Sequence, residues 1–168
     1  MTNAEQLRAG LTNLRGTVSD FDFFEGAWRI QNRKLKHRNV NSDDWDEFEA
    51  TQKAWIMLDG VANVDEFDCP ERGFKGMSMR TLNLETGLWS IYWINSTVGR
   101  LLNPVIGGFD GEYGVFYGDE LEAGVPVVSR FEWLVHPSNP TWKQSYSWDS
   151  GATWELNWVM ELTRTVTA

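Results

Sequence analysis

The pattern of apolar and polar positions is clearest near the end of the chain. Trp142, Gln144, Tyr146 and Trp148 alternate with Lys143, Ser145 and Ser147. After Asp149-Ser150-Gly151, the residues Trp154, Leu156, Trp158, Met160 and Leu162 alternate with Glu155, Asn157, Val159 and Glu161. A period of two marks a strand with one buried face. Two such runs around a short Asp/Gly loop predict an antiparallel hairpin. Its apolar face is almost wholly aromatic. Gln144 lies on that face, and on unbulged strands Asn157 falls on the opposite one.

The same alternation runs back through the chain. Residues 27–38 and 45–58 predict a hairpin around the turn 39–44, with Phe48, Ala50, Ala54, Ile56 and Leu58 on one parity. Its basic run, Arg33 to Arg38, faces the acidic run Asp43 to Glu49, and opposite charges across a strand pair stabilise it. Strands are also predicted over 61–68, 74–84, 88–96, 112–121 and 125–136, for about nine in all. Short links rich in Gly, Asp, Asn and Pro separate most of them, so sequence neighbours pair antiparallel. The one longer link, 97–108, carries Pro104, Gly107 and Gly108 and reads as a mobile loop at a barrel mouth. Leu7, Leu11 and Leu14 predict a short amphipathic helix over 3–15, ended by Gly16 and placed against the end of the sheet as a plug or lid. The expected fold is all-β: one domain over 1–168, with 1–20 as helix and lead-in, and an up-and-down antiparallel barrel of about 8–10 strands. A nine-strand sandwich needs longer crossing connections than these links provide.

Composition changes this picture in three ways. A length of 168 residues suits one domain with a core of its own, and a single cysteine excludes an internal disulfide. The N-terminus lacks a signal-peptide pattern and no run is long and apolar enough to span a bilayer, so a cytoplasmic location with no membrane partner is expected. A net charge of −9 is the wrong sign for a nucleic-acid partner. Ten tryptophans and nine phenylalanines either fill a core or line a pocket for a flat, hydrophobic ligand.

Three motifs carry a resemblance. Phe21-Asp22-Phe23-Phe24-Glu25-Gly26-Ala27-Trp28, Ser90-Ile91-Tyr92-Trp93 and Gly151-Ala152-Thr153-Trp154-Glu155-Leu156-Asn157-Trp158 occur in that order. A short helix before Gly-x-Trp at the first strand resembles the calycin superfamily, and the set as a whole resembles an uncharacterised family of bacterial lipocalin-like domains. The resemblance covers nearly the whole chain. It implies a lipocalin-like barrel with Trp28 packed into the closed end, and it brings no established activity. Two other likenesses are set aside. Ser147 to Trp154 fits the Asp-box turn of sialidase propellers, but it occurs once and reads as turn chemistry from Asp149, Thr153 and Gly151. The haem-binding barrels related to nitrobindin need an axial histidine, and His37 and His136 are poorly placed to serve.

No cofactor and no metal is expected, because Cys69 stands alone and the two histidines are far apart in sequence. Candidate ligand-binding positions are polar or aromatic residues sharing the parity of Trp28: Asn32, Asn63, Asp65, Trp93, Asn95, Trp133, Gln144, Tyr146 and Trp158. Arg80 joins them if Gly76 and Ser78 face inward; the more apolar Met77 and Met79 favour the opposite parity. Tyr92 and Tyr117 are undetermined, since a bulge reverses parity. Asp65 is the candidate acid or base, because burial among aromatics raises a carboxyl pKa; pairing with a buried arginine is its other reading. The leading expectation is a binding barrel for a small hydrophobic or aromatic molecule. The alternative is a cofactor-free isomerase, cyclase or decarboxylase in the same cavity. A homodimer is compatible with either.

Overall fold

The computed structural model describes residues 1–166. Ten strands form one closed antiparallel barrel: β1 (Gly26–Leu35), β2 (Trp45–Met57), β3 (Ala62–Cys69), β4 (Phe74–Asn83), β5 (Leu88–Asn95), β6 (Val105–Asp110), β7 (Tyr113–Glu122), β8 (Val125–Leu134), β9 (Thr141–Ser147) and β10 (Glu155–Arg164). Each strand pairs with its neighbours in sequence, and β10 returns to β1 to close the ring, with Trp28 opposite Arg164 and Lys34 opposite Trp158. The predicted charge complementarity in the first hairpin is present, with Arg33 opposite Glu47 and a Lys36–Asp44 ion pair of 2.9 Å.

Three sequence expectations need correction. The stretch 97–108 is not all loop, because β6 begins at Val105 and pairs with both β5 and β7. Its glycines looked like strand breakers, yet Gly107 belongs where two backbones meet: a Cβ there would stand 1.9 Å from the Val115 carbonyl oxygen. The helix is also shorter than expected. α1 spans Asn3–Ala9 and stops at Gly10, so Leu11 and Leu14 lie in turns beyond it. Thr2 starts it with a capping box, its hydroxyl accepting from Glu5 N (3.2 Å) while the Glu5 carboxylate accepts from Thr2 N (2.6 Å). α1 does not plug the barrel end. Arg8 Nη1 donates to the Tyr117 carbonyl (3.0 Å) and Ala4 N donates to Asp119 Oδ1 (3.2 Å), against the outer face of β7.

The plug is the aromatic lead-in to β1. Phe21 and Phe24 are buried and pack edge-on or tilted against Trp89, Phe109 and Trp133, with ring centroids 5.0–5.1 Å apart. Trp28 is also buried, stacks near Phe24, and donates its indole N–H to the Phe24 carbonyl at 2.8 Å. Arg164 locks this end. Its guanidinium lies 4.2 Å from the Trp28 ring and donates to the carbonyls of Phe23 (2.6 Å), Glu25 (2.7 Å) and Pro137 (2.9 Å). Gly26 leaves room for it: its φ is +119°, and a Cβ would stand 2.7 Å from Arg164 Nη1. The Gly-x-Trp motif is thus the socket for an arginine at the far end of the chain.

Candidate functional site

The interior begins with alternation. Trp28, Ile30 and Asn32 on β1, Phe48, Ala50, Gln52 and Ala54 on β2, and Asn63, Asp65 and Phe67 on β3 are all buried. On β4 the buried set is Gly76, Ser78, Arg80 and Leu82, while Met77 is exposed. Arg80 therefore points inward, against the reading that hydrophobicity favoured. Asp65 supplies the reason. Its Oδ2 accepts from Arg80 Nη1 at 2.6 Å and its Oδ1 accepts from Gln52 Nε2 at 2.7 Å. Arg80 Nη1 also donates to Asn63 Oδ1 at 3.0 Å, and its guanidinium lies over the rings of Phe24 (4.9 Å) and Phe21 (5.2 Å). A buried charge needs a partner and hydrogen bonds, and this pair has both.

Above the plug lies a cavity of about 170 Å³. Phe67, Trp93, Phe131, Trp142 and Trp158 form much of its wall, and Gln52, Ser78, Arg80 and Gln144 bring polar groups to it. At the mouth stand Lys34, Arg38, Glu120 and Tyr146, with Leu102 and Asn103 from the β5–β6 connection. Tyr146 donates its hydroxyl to Glu120 Oε2 at 3.0 Å, and Arg38 pairs with Glu122 at 2.7 Å. Burial pushes the Glu120 carboxyl above its ordinary range, and the Tyr146 hydrogen bond partly offsets this. Burial, then the Glu120 charge, pushes the Tyr146 phenol up. Lys34 moves the other way: burial first, then the Arg38 charge, lower its pKa against the pull of Glu122 and Asp46.

Six of the ten sequence candidates line this cavity: Arg80, Trp93, Trp133, Gln144, Tyr146 and Trp158. Asn32, Asn63 and Asp65 are buried in the wall and hold lining residues in place. Asn32 Oδ1 accepts from the Trp158 indole at 3.0 Å, while Asn63 and Asp65 hold Arg80 and Gln52 as described. Asn95 is turned into the following loop, where Oδ1 accepts from Thr97 N and Thr97 Oγ1, both at 2.8 Å.

The unbulged register on which Asn157 falls outside is not the one present. β10 carries a bulge between Leu156 and Trp158, so Asn157 has no partner across the ladder. Its side chain is fully buried and accepts from Gln144 Nε2 at 2.7 Å. The bulge also splits the apolar face of the last strand: Trp158, Met160 and Leu162 face inward, while Trp154 lies over Arg130 and Tyr117 on the outer wall.

Sequence reading passed over Lys34, Gln52 and Glu120. Each carried a signal. Lys34 continues the parity of Trp28, Ile30 and Asn32; Gln52 sits between Ala50 and Ala54; Glu120 continues Gly114, Phe116 and Gly118. All three were masked by their polarity. Among the described residues, no three His, Cys, Asp or Glu side chains come together in a cluster suited to a metal ion, and no helix is long and apolar enough to cross a membrane.

No protein-family model matches the chain, and no curated protein matches it. The closed ten-strand antiparallel barrel with its short N-terminal helix is consistent with a calycin-like fold.

Proposed function

We propose that this lipocalin-like barrel binds a small hydrophobic or aromatic molecule. The observation that carries the reading is the cavity itself, about 170 Å³ of space walled by tryptophan and phenylalanine and edged by a few polar groups. Such apolar walls with sparse polar anchors suit a compact organic ligand. An engineered cavity of roughly 150 Å³ admits benzene, so the space matches one ring with a small substituent. Trp93, Trp142 and Trp158 make the test direct, because a ring entering the cavity alters their fluorescence. A panel of single-ring compounds is expected to give saturable quenching that Ile91→Phe, which fills the cavity from β5, abolishes. Absence of saturable quenching by every member of the panel overturns the reading.

The second reading, a cofactor-free isomerase, cyclase or decarboxylase, moves to different residues. Both Asp65 oxygens are engaged by Arg80 and Gln52, and Asp65 does not line the cavity. Glu120 does, with Tyr146 bonded to it and burial favouring its protonated form. The acid–base candidate for that reading is therefore Glu120.

A further inference from the structure

Lys34 is a charged residue in the cavity wall with no carboxylate partner of its own among the described residues. It sits at the inner parity of β1, half-buried, with Nζ 4.2 Å from the centre of the Trp158 ring. The carboxylates nearest to it in charge are committed elsewhere. Glu122 pairs with Arg38 at 2.7 Å, and Asp46 is held by Arg72 through two bonds of 2.6 and 2.9 Å. Among the described residues no carboxylate lies within ion-pair distance of Lys34, whereas Lys36 and Lys75 have Asp44 and Asp68 at 2.9 and 3.0 Å. A lysine placed in an apolar pocket beside another cation is a recognised route to a nucleophilic amine.

We propose that Lys34 is a covalent carbonyl-capture site: its amine condenses with an aldehyde or ketone carried on a single-ring molecule in the cavity. The inference rests on the cavity being a ligand site and assigns the chemical class of ligand. The neutral amine adds its lone pair to the carbonyl carbon, forming a C–N bond, and the carbonyl oxygen takes a proton. The carbinolamine then loses that oxygen as water, leaving an imine, which binds one proton to become an iminium. No oxidant or reductant is consumed. The groups around Lys34 act in both directions. Burial and Arg38 favour the reactive amine, while Glu122 and Asp46, the Trp158 ring face and the Cys69 thiol, when ionised, favour the ammonium. The net effect is a Lys34 pKa below the ordinary lysine value, led by burial.

The test uses benzaldehyde as the probe, with sodium cyanoborohydride to deliver hydride to the iminium carbon and fix the adduct as a secondary amine. Intact-mass measurement and peptide mapping are expected to show one N-benzyl group on Lys34, formed at least about tenfold faster than on Lys36, Lys53, Lys75 or Lys143. The Met1 amine serves as an internal reference. The capture rate at Lys34 is expected to rise with pH below the ordinary lysine range. Lys34→Arg, which keeps the charge and removes the nucleophile, should remove the Lys34 adduct while melting as a folded barrel. Labelling spread evenly over the exposed lysines, or an unlabelled Lys34, overturns the proposal. Benzyl alcohol separates the two readings. If it quenches tryptophan fluorescence saturably while benzaldehyde leaves Lys34 unlabelled, the capture site fails and the binding cavity stands. If neither compound nor any other member of the single-ring panel engages the cavity, both fail.

Discussion

At the scale of single residues, the strongest constraint is the Asp65–Arg80 pair. Its two side chains are almost completely buried, and among the described residues each is the other's only counter-charge in contact. Arg80→Met is expected to cost about 3–5 kcal/mol, because it leaves a buried carboxylate with the Gln52 hydrogen bond but no counter-charge. Adding Asp65→Asn to that variant should recover part of the loss, and urea denaturation of the three proteins measures both steps. A second test concerns Asp149, whose carboxylate accepts from Thr153 N (2.8 Å), Thr153 Oγ1 (2.6 Å) and Ser147 Oγ (2.7 Å). These bonds, led by the Thr153 hydroxyl, lower its pKa to about 2 from an ordinary 3.8. A depressed carboxyl pKa stabilises the fold fully above the unfolded value and loses that contribution as pH falls through the folded one. Asp149→Asn should therefore be less stable than the parent at neutral pH, with the gap closing between pH 3.8 and pH 2 in denaturant titrations. The role of this turn was legible from Ser147 to Trp154 alone. The inward direction of Arg80 was not, because the residue that makes it tolerable lies on another strand.

At the scale of elements, alternation located nine of the ten strands and misjudged one in detail. The bulge in β10 holds a single extra residue, and no period-two count shows where a count will slip. At the bulge Asn157 accepts from the Gln144 amide, so Asn157→Ala should strand that amide and cost about 1–3 kcal/mol, read from chemical denaturation. β6 was the strand lost in the sequence, hidden by Pro104 and two glycines. The proline precedes the strand, and Gly107 is needed for close approach to β7. Gly107→Ala should wedge the two strands apart at about 1–3 kcal/mol, with faster amide exchange in β6 than in β8.

At the scale of the whole molecule, the closed barrel was readable because nearly every link is too short for anything but antiparallel neighbours. The cavity was only half readable. Its aromatic wall follows from parity, but Lys34 and Glu120 at the mouth continue the inward parity of their strands while their own polarity masked them. The pairing of β1 with β10 has a consequence for synthesis. As the chain emerges from the ribosome, β1 to β9 precede β10, so until β10 follows they can form only an open sheet with two free edges, and Arg164, which locks the Trp28 end, is made after all nine. Unpaired edges invite association between chains. Nascent chains arrested before Glu155 should therefore be protease-sensitive and prone to aggregate, and should acquire resistance abruptly, not gradually, once β10 clears the exit tunnel.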